Sequence, residues 1–303
     1  MLNDNRIIES KKELYVKVKT EIEEYANLLG VKDFENRYCI PNIDRKKGSN
    51  KNNYFYLFCE HFVDRQYMKN IIKFYDKKTQ SLLDKVMLNY DLESFLNRYK
   101  SQQSFKDSIK IADIEGITNR SEWIQFIDAI YLCAKYLSNE CIDNQHISIE
   151  DLLKYPTDDD DFKRKIYALR IIKNNIPGLG PAVTYNWIKE CGAEWLAKPD
   201  LHITRIVNEI LKYDIPQQEE FKFPDSISKK YRLSKEEYIV YYIYRWVNDI
   251  KNIVDDKNIT PFKLDRLLFL YCTGGYFYLE SERKTLSEAE LLEKTNILFQ
   301  NKN

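Results

Sequence analysis

Residues 161–188 read DFKRKIYALRIIKNNIPGLGPAVTYNWI, and this stretch decides the fold. Apolar side chains recur at helical spacing from Phe162 to Ile172 and again from Val183 to Ile188,. Between them, Ile176-Pro177-Gly178-Leu179-Gly180-Pro181 interrupts the pattern. Gly178 and Gly180 permit backbone conformations that side chains obstruct, and they leave the backbone N–H groups bare. Pro181 suits the first position of a new helix, where its missing N–H costs nothing. The stretch therefore predicts two helices joined by a tight turn, with Leu179 plugged between them. The second helix points its free N–H groups and positive dipole end back at the turn, which makes an anion site of backbone alone. A corner that binds nothing is the plain alternative. The order Pro, Gly, apolar, Gly, Pro between two amphipathic helices favours phosphate binding.

Working outward, helical apolar spacing runs through Leu14–Leu28, Tyr54–Tyr75, Trp123–Leu137, Ile203–Leu211, Tyr238–Ile253 and Leu264–Tyr271,. Ser148 before Asp151, Ser234 before Glu237 and Ser287 before Glu290 each set a capping hydroxyl three residues ahead of a carboxylate, a helix-start signal,. Loops are expected at Asn42–Asn53, Ser101–Ser108, Pro156–Asp161 and Ile215–Ser228, from their Gly, Pro, Asn and charge content,. The first holds Arg45, Lys46, Lys47 and Lys51, a basic set that reads as a solvated surface loop before a phosphate contact. Alternating strand patterns with Asn-Gly or Asp-Gly turns are absent, so the fold is expected to be all-α,.

Composition narrows the class. Hydrophobic residues at 44% and charged residues at 31% suit a globular chain of 303 residues with room for one large domain or two modest ones,. The 47 basic and 47 acidic side chains cancel, so any nucleic-acid contact has to come from a local basic face rather than from net charge,. The six cysteines are scattered without a Cys-x-x-Cys pair, which argues against a zinc or iron–sulfur site and for free thiols in a reducing compartment,. The polar N-terminus carries no apolar signal segment, and the most apolar stretch, Ile239 to Val247, is broken by Arg245 and far too short to span a bilayer,. The expectation is a cytoplasmic monomer with no membrane partner, no metal and no cofactor.

Twenty residues beyond Gly180 comes Lys198-Pro199-Asp200-Leu201-His202-Ile203-Thr204-Arg205-Ile206. Apolar spacing restarts at Ile203, Ile206, Val207 and Ile210, so a helix starts near Leu201 with Asp200 at its N-cap,. Taken alone, Asp200 reads as a cap. Taken with Ile176-Pro177-Gly178-Leu179-Gly180 before it, the segment Asp200-Leu201-His202-Ile203 resembles the helix–hairpin–helix DNA glycosylase superfamily, named for its hairpin, Gly/Pro-rich loop and aspartate. The likeness is strong over Asp161 to Leu211. Upstream, Tyr54 to Phe58 followed by Val63-Asp64-Arg65-Gln66 is similar to that family's early helix, and Leu264 to Phe269 to its late helix.

The resemblance implies two helical subdomains flanking a DNA-binding and active-site cleft. One would span 54–195 and end in the helix–hairpin–helix at 161–195. The other, discontinuous, would comprise 1–53 and 196–303 and carry the catalytic aspartate, Asp200. Gly178, Leu179, Gly180 and Ala182 would hold the backbone of double-stranded DNA containing a modified base. Gln66 would probe the gap left by the flipped base, and Arg205 would reach a phosphate or stay on its helix face. Tyr185, Trp187 and Trp123 are candidates to stack on the base, with core packing the competing role for each. Some family members use a lysine just after the hairpin as an amine nucleophile. Ala182 stands at that position, so the expectation is base removal without strand cleavage. The iron–sulfur subgroup is excluded, because only Cys272 lies in the C-terminal region. The competing readings are a DNA-binding module that lost the chemistry and a helical scaffold with a chance motif.

Overall fold

A computed structural model describes residues 2–28, 31, 33–45, 50–64, 68–111, 121–139, 147–214 and 233–272. All regular structure among these residues is helical, with no strand. The chain forms two compact units. Unit 1 comprises residues 1–40 and 194–303, and unit 2 comprises residues 41–193. The chain thus passes between units at Ile40/Pro41 and Ala193/Glu194, whereas the sequence reading put the boundaries at 53/54 and 195/196.

Unit 1 contains α1 (Leu2–Leu28), α2 (Phe34–Tyr38), α12 (Leu201–Asp214), α13 (Lys235–Ile250) and α14 (Pro261–Cys272). Its core joins Tyr15, Val18 and Ile22 of α1 to Ile203 and Val207 of α12, Ile243 and Trp246 of α13, and Leu264 and Leu267 of α14. The apolar spacing is what aims these side chains to one side of each helix. Polar groups fix the packing: the Trp246 indole N–H donates to the Lys11 carbonyl, and Lys11 pairs with Asp249 at 2.9 Å. Ser234 and Glu237 close a reciprocal cap at the start of α13, as the sequence predicts,.

Between α13 and α14 lies a buried ionic cluster that spans the unit. The Asp256 carboxylate accepts from the Tyr15 hydroxyl at 2.6 Å, from Lys263 at 2.7 Å and from Lys19 at 2.8 Å, and Lys263 also reaches Glu35 at 2.7 Å. Burial alone would raise the Asp256 carboxyl. The hydrogen bonds from Lys19, Lys263 and Tyr15 overcome it and hold the group well below the usual carboxylate range,.

Unit 2 contains α3 (Asn50–Val63), α4 (Met68–Ile72), α5 (Lys77–Val86), α6 (Leu92–Arg98), α7 (Gln102–Ile111), α8 (Ser121–Asn139), α9 (Ile149–Leu153), α10 (Asp159–Asn175) and α11 (Pro181–Glu190). α3 is its centre and packs on α8 and α11. Its interior is an aromatic pile: Phe55 on Phe95, Phe58 on Trp187 and Phe62 on Phe126, at centroid distances of 5.2, 4.9 and 6.2 Å,. Residues 88–90 run left-handed (φ 52, 54 and 60) ahead of α6, a turn held by the Tyr90 ring packed against Phe55 and Tyr56.

Three expected loops are corrected. Ser101–Ser108 lies mostly within α7, because Ser101 and Ser104 cap each other's backbone N–H groups and Phe105 and Ile109 are buried one turn apart. Asn42–Asn53 begins as a 3-10 turn over Asn42–Arg45 and is already α3 from Asn50, with Asn52 hydrogen-bonded to Asp91 and to the Leu92 N–H. Asp159, within the expected loop Pro156–Asp161, already opens α10, with Asp158 capping the Asp161 N–H. The expected loop Ile215–Ser228 and the capping signal at Ser287 lie outside the described residues. The pattern Tyr54–Tyr75 divides into α3 and α4.

Candidate functional site

The turn that follows α10 sits in unit 2. α10 ends at Asn175, the N–H of its C-cap Ile176 donates to the Ile172 carbonyl at 3.1 Å, and the Leu179 N–H closes the turn on the Ile176 carbonyl at 3.3 Å. Pro177 and Gly178 are exposed, and Leu179 is buried. The two glycines serve different ends. Gly178 has φ +81, which strains any residue with a Cβ,. Gly180 has φ −95 in extended backbone, and a Cβ placed on it would meet nothing within 4 Å. The fold therefore requires glycine at 178 and not at 180. What Gly180 contributes is an N-cap with no side chain at all.

α11 starts with Pro181 at its first position, and no side chain caps it. The Thr184 N–H and hydroxyl both return to the Gly180 carbonyl at 3.0 Å. The N–H groups of Ala182 and Val183 precede the first helical hydrogen bond, and both residues are half-buried. From Thr184 to Glu190, α11 is buried on every side. Its orientation is set by α3: the Trp187 indole N–H donates to the Tyr54 carbonyl at 2.9 Å, and Asn186 meets His61 at 3.0 Å.

Asp200 belongs to unit 1. Its N–H donates to the Lys198 carbonyl at 2.8 Å, its Oδ1 accepts from the Ile203 N–H at 3.0 Å and its carbonyl accepts from the Thr204 N–H at 2.9 Å. It caps α12, as its sequence position predicts. The carboxylate is half-buried, and Oδ2 takes no hydrogen bond among the described residues. The cap fixes one oxygen, Oδ1. Leu201 beside it is 59% exposed. His202 is half-buried with its ring edge toward Phe269 (5.9 Å, 81°) and no partner for its Nδ1. Arg205, one turn on, is half-buried.

The aromatic candidates lie in the interior of unit 2. Trp187 and Trp123 are 0% and 1% exposed; Trp187 packs on Phe58, and Trp123 lies edge-on to Phe126 at 5.6 Å. Tyr185 is likewise buried. Gln66 lies outside the described residues, as do Lys46 and Lys47. Cys39, Cys59, Cys133, Cys191 and Cys272 are buried free thiols, and burial pushes Cys59, Cys133 and Cys191 well up, so they stay neutral. No group of His, Cys, Asp and Glu side chains among the described residues is arranged to hold a metal ion, and no helix there is long and apolar enough to cross a membrane. Sequence reasoning missed His61 and Asn186 as a pair. They lie in separate helical patterns, and only their packing joins them.

The chain matches no protein-family model, no curated protein and no solved structure.

Proposed function

We propose that the protein is a monofunctional DNA glycosylase that flips out a modified base and hydrolyses its N-glycosidic bond, leaving an abasic site. The observation that carries this reading is Gly180, a glycine that neither backbone conformation nor space requires, at the uncapped N-terminus of α11. A bare N-cap is what close approach of a phosphate needs. The turn would grip the DNA backbone without reading sequence.

Asp200 would supply the chemistry. An enzyme acting on a base takes it out of the stack, and breaking its bond to the sugar builds positive charge there. A fixed carboxylate stabilises that charge or orients the attacking water. Oδ1 is held by the Ile203 N–H, so Oδ2 is the oxygen assigned to this role. The first turn of α11, Pro181-Ala182-Val183, offers no amine, so no Schiff base forms at that place and the strand is left uncut,.

The cap hydrogen bond itself favours a second reading, in which Asp200 only starts α12 and the turn serves a non-catalytic DNA-binding module. Base release separates the two. The purified chain is incubated with duplexes carrying alkylated, oxidised and deaminated bases and with hypermodified phage DNA, and freed bases are identified by mass spectrometry. Release of one class of base without strand cleavage is the expected outcome. Salt-sensitive DNA binding with no release from any substrate selects the binding module, and salt-independent binding overturns both readings.

A further inference from the structure

A buried polar pair joins α11 to α3. His61, near the C-terminal end of α3, is 6% exposed. Its Nδ1 lies 3.0 Å from the Asn186 side-chain nitrogen on α11 and 3.5 Å from the Asp64 carboxylate, and its Nε2 is buried with no partner. An amide N–H needs a lone pair, so in this arrangement Nδ1 is the acceptor and Nε2 carries the proton. The Asp64 carboxylate, also an acceptor, can then make no hydrogen bond to that nitrogen. The one ring nitrogen thus faces two partners with opposite requirements: Asn186 while it is bare, and Asp64 once it is protonated.

We propose that His61 is a proton-operated clamp on α11. With the imidazole neutral, Nδ1 accepts from Asn186 and ties α11 to α3. One proton added at Nδ1 occupies the lone pair, turns the ring's N–H to Asp64 and leaves the Asn186 amide without its acceptor. No covalent bond changes, and the proton comes from and returns to water. Asp64 is the carboxylate placed to take the cation, at 3.5 Å from Nδ1. Glu190 of α11 accepts from the Asn42 N–H, Asp128 of α8 from Gln102, and Lys135 of α8 lies over the Tyr131 ring. Lys189 is buried on α11 one turn from Asn186, and the thiols Cys59, Cys133 and Cys191 are neutral. The consequence is a helix, and with it the Ile176–Gly180 turn, that is held more tightly while His61 is neutral than once it is protonated.

The chain has three histidines, so their ring nitrogens are resolvable by 15N NMR. With the imidazole neutral, His61 is expected as the Nε2–H tautomer,. Hydrogen-exchange protection of α11, corrected for the intrinsic rate, should fall roughly fivefold once the ring is protonated, the loss that one buried hydrogen bond would give. In Asp64→Asn, which removes the acidic-state partner, α11 should keep its protection in acid. In Asn186→Leu, protection should be low and independent of pH. The Nδ1–H tautomer at neutral pH, unchanged wild-type protection in acid, or the same acid loss in Asp64→Asn would each overturn the proposal. None of these readouts depends on whether the chain excises bases.

Discussion

Replacing Asp256 by Asn removes the negative centre of the ionic cluster in unit 1 while keeping the side chain's shape. In the native chain, Asp256 Oδ2 accepts from Tyr15, Lys19 and Lys263, and Oδ1 accepts from the Asn258 N–H at 3.1 Å. After the change, Lys263 is left with Glu35 alone, whereas Lys19 keeps Glu35 at 3.0 Å and Glu23 at 3.7 Å. Lys263 is 5% exposed and has nowhere to take its charge, whereas Lys19 and Glu35 are 23% and 33% exposed and can be partly hydrated. Removing one partner of a buried pair costs about 3–5 kcal/mol, and the partial exposure of Lys19 and Glu35 puts this case near about 3 kcal/mol. The effect has a definite pH dependence. The folded-state carboxyl of Asp256 is depressed, so its stabilisation is fully present above the unfolded aspartate value of about 3.9 and is lost as pH falls below it,. Wild type and variant should therefore differ most near neutrality and converge in acid. The assay is urea denaturation at several pH values, followed by the fluorescence of Trp246, which lies in the core of unit 1,. A loss under about 0.5 kcal/mol at neutral pH, in the range of an exposed pair, would refute the claim that the cluster is a buried tie.

Two further changes test smaller elements. Gly178→Ala places a Cβ at φ +81 and should cost about 1–2 kcal/mol in the same denaturation assay, with DNA affinity falling as the turn distorts,; an unchanged midpoint would mean that the left-handed turn is not the stable form. Ser234→Ala removes the hydroxyl that accepts from the Glu237 N–H at 3.3 Å and should destabilise α13 by about 1 kcal/mol, read as a lower thermal midpoint,; no shift would make the reciprocal cap energetically idle.

Much of the fold is legible in the sequence for identifiable reasons. Ser148, Ser234 and Asp200 start helices where their side chains demand it. The Pro-Gly-x-Gly-Pro run breaks the chain between α10 and α11 because neither proline nor a left-handed glycine continues a helix. The short helices α5 and α6 escape a periodicity search, since each runs ten residues or fewer and owes its start to one aspartate cap, Asp76 or Asp91. α7 escapes because its serine-rich opening has the composition of a loop, and only burial of Phe105 and Ile109 shows that it is paid back as helix.

The candidate site is legible in part. Gly178 declares itself by backbone need, and Gly180 and Asp200 by position. That Gly180 is conformationally unnecessary could be learned only from its φ and its open surroundings. Partnerships between elements distant in sequence, such as His61 with Asn186 or Tyr15 with Asp256, are set by packing and leave no local pattern.

The central claim rests on Asp200, and base release by Asp200→Asn tests it most directly. Asn keeps the α12 cap, since its side-chain oxygen can still accept from the Ile203 N–H, so the variant should fold and bind DNA with the same salt dependence as the wild type,. It lacks the negative charge that the cleaving sugar requires, and its release rate should fall by at least about a hundredfold, the scale on which preorganised electrostatic groups act. Release at the wild-type rate would contradict the account and leave Asp200 as a cap alone.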